Sequence, residues 1–89
     1  MELRNCPIDV ISVCSSAGEI RPLRFRIEDK DHQVHRVIIG EVVSIRRVDC
    51  VGIEAHIFLC RAAVSGRQRM FELKYSIRSH SWCLARNFY

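Results

Sequence analysis

The sequence predicts a single all-β domain over residues 1–89, a small antiparallel curved sheet or partly open β-barrel or roll of roughly six or seven strands with at most one short helix. Three observations predict it. Turn-forming clusters recur at short intervals, at residues 15–18, 29–31, 49–52, 65–66 and 78–81. The segments between them are rich in Val, Ile, Phe and Tyr, residues that suit a pleated, half-buried surface. Several of those segments also alternate apolar and polar residues with period two, which sets a strand on a core. A flat sheet of that many strands would leave one apolar face wet and two edges unpaired, so it must curl.

Taken in order, Ile8-Asp9-Val10 begins a strand whose continuation, Ile11-Ser12-Val13, shifts face and predicts a bulge. Leu23-Arg24-Phe25-Arg26-Ile27 alternates strictly, with the apolar residues on one face and both arginines on the other. From Val34 to Val48 the chain is β-branched, which predicts a strand to about Ile39, a break at Gly40 and a second strand from Val42; any helix would fall here. Ile53, Ala55, Ile57 and Leu59 share one face, and His56, Phe58 and Cys60 the other. A strand apolar on both faces belongs in the middle of the sheet. Phe71-Glu72-Leu73-Lys74-Tyr75-Ser76-Ile77 alternates over its whole length; Trp82, Leu84 and Phe88 continue the pattern with Arg86 as an interruption. The expected core is Ile8, Val10, Leu23, Phe25, Ile27, Val34, Val37, Ile39 and Val43 from the first half. Ile45, Ile53, Ile57, Leu59, Phe71, Leu73, Tyr75, Trp82 and Leu84 complete it.

Composition narrows the function classes. At 89 residues, few side chains can be spared from packing to line a deep substrate cavity. No apolar run reaches the length of a membrane helix, and Met1-Glu2-Leu3-Arg4-Asn5-Cys6-Pro7 lacks the apolar region of a signal peptide, so the expectation is a cytoplasmic protein with no membrane partner. Cys6, Cys14, Cys50, Cys60 and Cys83 are odd in number and widely spaced, as reduced thiols acting as small hydrophobes would be. The net charge of +4 is carried by 12 Arg and 2 Lys against 10 acids. Guanidinium groups bind phosphate bidentately and stack on bases, so this balance favours polyanionic partners.

No catalytic, metal or cofactor pattern stands out. His32 and His35 are three apart, which in a strand puts them on opposite faces, and no thiolate or carboxylate sits at a supporting metal-ligand spacing. Cys60 and His56 share a strand face but lie four residues apart, roughly 13 Å at strand rise, too far for a nucleophile and its base. Cys83 and His80 flank a turn without a third orienting group. Glu28, Asp29 and Asp31 form a charged hairpin tip that lacks the Gly and distal Glu of a calcium loop. The arginines remain. Arg24 and Arg26 share a face of one strand, and Arg67 and Arg69 share a face of another; if such strands pair, a basic stripe results, with Tyr89 available for stacking. The competing expectation is a solvated face whose arginines pair across strands with Glu54, Glu72 and other acids.

The order of elements also resembles a known group. Pro7-Ile8-Asp9-Val10, then Pro22-Leu23-Arg24-Phe25-Arg26, a charged tip, Val34-His35-Arg36-Val37, Phe71-Glu72-Leu73-Lys74-Tyr75 and Ser81-Trp82-Cys83-Leu84-Ala85-Arg86 follow one another as in certain small bacterial β domains. Similar segments occur at the C-terminal end of inactive accessory proteins related to Y-family DNA polymerases. Phe25-Arg26-Ile27 stands where those domains usually carry a Trp, and residues 40–66 have no counterpart. The resemblance implies a barrel-like accessory module and transfers no catalytic residue. The resulting expectation is a non-enzymatic module without cofactor or metal. It would bind nucleic acid or a DNA-processing protein through Arg24, Arg26, Arg67 and Arg69. The alternative is a protein-interaction or self-association module using a sheet edge or an exposed apolar face.

Overall fold

The computed structural model describes the backbone of residues 4–88 and the side chains of residues 5–49 and 51–87. Six strands follow one another in chain order: β1 (Arg4–Cys14), β2 (Ile20–Glu28), β3 (Val34–Cys50), β4 (Ile53–Val64), β5 (Arg67–Ser76) and β6 (Ser81–Phe88). Each pairs antiparallel with the next, and β6 returns to β1, so the sheet closes into a barrel. There is no helix among the described residues.

Closure depends on two strands that change partners along their length. The first part of β1 pairs with β6, from Arg4↔Arg86 to Ile8↔Trp82, and the rest pairs with β2, from Asp9↔Arg26 to Cys14↔Ile20. β3 pairs with β2 from Val34 to Ile38 and with β4 from Ile39 to Cys50. Extra residues at four points bend the sheet: Leu23 on β2, Gly40 and Val43 on β3, and Ala85 on β6. Each breaks the alternation on its own strand and adds local twist, which a barrel of this size requires.

Phe58, Leu73, Leu84 and Cys60 are fully buried inside, with Phe25, Ile27, Val37, Ala62 and Phe71 around them. The rings of Phe25 and Phe71 meet edge to face at 5.3 Å. Ile8, Val10, Ile39, Tyr75 and Trp82 pack partly buried against this cluster.

The bulges account for several departures from the expected core. Leu23 and Val43 are the extra residues at their register shifts and lie exposed, and Val34, Ile45 and Ile53 sit at strand ends or along an open edge, also exposed. On β4 it is Phe58, Cys60 and Ala62 that face the core, while Ala55 and Ile57 are buried on the opposite face. The shift expected in β1 falls between Ile11 and Ser12, where the pairing with β2 changes register. The alternation holds up to Val10, residues 11–14 are all exposed, and the extra residue, Leu23, belongs to the partner strand. The Arg86 interruption has a similar origin. The bulge at Ala85 sets Arg86 opposite Glu72, away from Leu84, which faces Leu73. β3 runs unbroken through Gly40, as one long strand with two register shifts. The Phe88 side chain and Tyr89 lie outside the described residues.

Candidate nucleic-acid interface

Because Phe25 and Ile27 point inward, Arg24 and Arg26 must point outward. Register then decides their neighbours. Arg24 lies directly between Ile11 of β1 and Ile38 of β3, and Arg26 between Asp9 and Arg36. These six side chains form two rows across three strands, and they line an open groove of about 430 Å³ on the outside of the barrel. Ile38 is 70% exposed and Ile11 52%, so the groove presents apolar surface beside its charges.

Its electrostatics are lopsided. Asp9 is the one acid in the lining among the described residues, and its Oδ2 accepts hydrogen bonds from Arg26 Nη2 at 2.6 Å and Nε at 3.2 Å. Both partners are exposed, so this pair is worth at most about 1 kcal/mol and exchanges readily with a competing anion. Arg24 and Arg36 make no ion pair among the described residues. Beyond Arg24↔Ile38 the two strands part around a second groove of about 330 Å³, bordered by Arg21, Leu23 and Glu41.

The structure does not bring the four expected arginines together. β2 and β5 are three strands apart around the barrel. Arg67 and Arg69 stand opposite Val64 and Ala62, so they share the face that carries Phe71 and Leu73 into the core, at the end near the β4–β5 turn. Arg24 and Arg26 gain a different companion in Arg36. The sequence held a signal for it. The turn between Glu28 and Val34 fixes the hairpin register, and that register sets Arg36 against Arg26. Elsewhere arginines and acids intermix: Arg46 with Glu72 at 3.6 Å, Arg47 with Glu54 at 3.4 Å, and Arg61 with Glu41 at 2.5 Å.

The remaining candidates are engaged in structural contacts. His32 Nδ1 lies 2.8 Å from Glu28 Oε1, and His35 Nε2 lies 2.7 Å from Asp29 Oδ2, one carboxylate for each ring. The hydrogen bond from His35, with the backbone N–H groups of Gln33 and Asp31, holds the Asp29 carboxyl below its usual value. Burial pushes the Cys60 thiol up to about 12, so it stays protonated near neutral pH. Burial also raises the Cys83 thiol, while His80 Nδ1 lies 3.0 Å from the Tyr75 hydroxyl. Among the described residues no group of three or more metal-ligating side chains comes together.

Comparison with known proteins returns no matching family model, no matching curated protein and no matching solved structure.

Proposed function

We propose that this chain is a non-enzymatic β-barrel module that binds nucleic acid, or a complex that processes it, through the outer face of β1, β2 and β3. One observation carries the reading: Arg24, Arg26 and Arg36 line a single open groove in which Asp9 is the only acid among the described residues. Guanidinium groups on a rigid sheet can grip successive phosphates bidentately. Ile11 and Ile38 beside them offer apolar contact to a sugar or a base face.

The test is equilibrium binding of labelled single-stranded DNA, single-stranded RNA and duplex DNA across a salt series. Binding is expected to weaken steeply with salt, with a log–log slope of roughly −2 to −3 if two or three phosphates are neutralised. Charge reversal by R24E or R36E is expected to weaken binding about tenfold or more, whereas R67E leaves it within about twofold. Absence of binding to all three probes at low salt removes the reading. Equal losses from R24E and R67E would move the site away from this groove.

A further inference from the structure

The geometry points to a second site of association: the open edge of β3, which we propose pairs antiparallel with the same edge of a second copy, about a two-fold axis through Val48. Among the described residues, no strand pairs with residues 40–50 on the edge away from β4. Natural sheets blunt such edges with bulges or outward charges. Here both bulges, at Gly40 and Val43, fall before the exposed run, and pairing with β4 is uninterrupted from Ser44↔Leu59 to Cys50↔Ile53. Nor are the two arginines on that run left unneutralised, since Arg46 and Arg47 are paired with Glu72 and Glu54 of their own chain.

The occupant follows from charge and shape. Antiparallel pairing centred on Val48 sets Arg47 of each copy against Asp49 of the other, twice by symmetry. Within one chain Asp49 stands directly opposite Glu54, a like-charge pair, and among the described residues it has no ion-pair partner. Arg47 of the second copy, whose own contact with Glu54 is an exposed one at 3.4 Å, supplies a cation shared between the two carboxylates. The same register sets Ile45, 58% exposed, against Val51, which at 96% is the most exposed large apolar side chain among the described residues.

Val51 is an independent pointer. It occupies the first position of a two-residue turn with positive φ at both residues, 53° at Val51 and 78° at Gly52. A β-branched residue is an outlier in that conformation, where Asn, Asp or Gly is the usual occupant. The β4–β5 turn has the same geometry, φ 51° at Ser65 and 76° at Gly66, and there the first residue is polar. A strained, solvent-facing valine is explained by an apolar contact that the isolated chain does not make.

Sedimentation velocity and light scattering over a concentration series up to the millimolar range test the proposal. The wild-type chain is expected to shift toward twice the monomer mass. R47D and D49R should each weaken self-association at least about tenfold, and the double variant R47D/D49R, which restores both cross-pairs, should recover it. V51N relieves the turn, so it should weaken the dimer while leaving the melting temperature of the dilute monomer equal or higher. That combination separates lost contact from lost folding. A wild-type chain that stays monomeric throughout overturns the proposal, as does a dimer that R47D, D49R and V51N leave intact. These outcomes are independent of nucleic-acid binding, which uses residues 9–11, 24–26 and 36–38 and none of residues 45–51.

Discussion

The two halves of β3 carry similar residues and meet different surroundings. In the half that pairs with β2, Val37 is 3% exposed; in the half that pairs with β4, Ile45 is 58% exposed although it stands directly opposite Phe58, which is 1% exposed. Both point to the same side of their sheet as core residues. Each half of β3 has one paired edge among the described residues, Val37 on β2 and Ile45 on β4. Val37 stands opposite Phe25 inside the buried core cluster, whereas Ile45 lies outside that cluster although its partner Phe58 belongs to it. Alternation assigns a face, but burial depends on what packs over that face. The difference also separates the two proposed surfaces, one on the outside of the closed part of the sheet and one along its open edge.

The comparison breaks most visibly at the Ile45–Phe58 pair. Phe58→Ala would empty a fully enclosed position, where its ring stands 5.4 Å from Trp82, and is expected to cost about 3–5 kcal/mol. For a domain of this size that approaches the whole stability. Ile45→Ala removes a similar kind of side chain from an open edge and is expected to change monomer stability by about 0.5 kcal/mol or less. Urea denaturation of both variants at low protein concentration measures the two values. Equal losses would mean that Ile45 is covered within the monomer.

What the sequence made legible follows the same division. The strands with strict alternation, around Phe25 and around Leu73, fixed the barrel class and correctly set Arg24 and Arg26 outward. Where an extra residue enters, as at Leu23, Val43 or Ala85, the period resets, and a reading that carries the pattern through assigns the wrong side. Val43 and Leu23 were expected inside for that reason, and Phe58 was passed over because β4 is apolar on both faces and periodicity cannot choose between them. The grouping of arginines was less legible still. It depends on which strands are neighbours, and β2 with β5 is as compatible with the alternation as β2 with β3.

A smaller effect is expected at the turn that sets the β2–β3 register. Asp29 Oδ1 accepts from the backbone N–H groups of Asp31 and Gln33 at 2.8 and 3.0 Å, while Oδ2 meets His35. Removing this anchor by Asp29→Ala should lower the melting temperature, by less than Phe58→Ala does. The pH dependence has a definite sign. The folded-state pKa of Asp29 is depressed below 3.8, so its contribution is present above that value and is lost as pH falls through the lowered folded value. Thermal melts from neutral pH into acid should therefore show the wild type losing stability more steeply than Asp29→Asn at the acid end. Parallel curves would show that the carboxylate charge plays no part in holding the hairpin.

The smallest expected effect is at Gly40, and it bears directly on why β3 divides where it does. A glycine inside a strand suggests a bend that only glycine can make. The geometry argues otherwise. Gly40 is not among the residues with positive φ, and a Cβ built there would meet only the Arg61 carbonyl oxygen at 3.5 Å, an ordinary contact. The change of partner follows from the register shift between Ile39 and Glu41, which an alanine can also occupy. Gly40→Ala should therefore stabilise the fold by roughly 0.4–1 kcal/mol, by restricting the unfolded chain. A raised denaturation midpoint with an unchanged slope would assign the division of β3 to its pairing partners. A loss of stability would return it to the glycine.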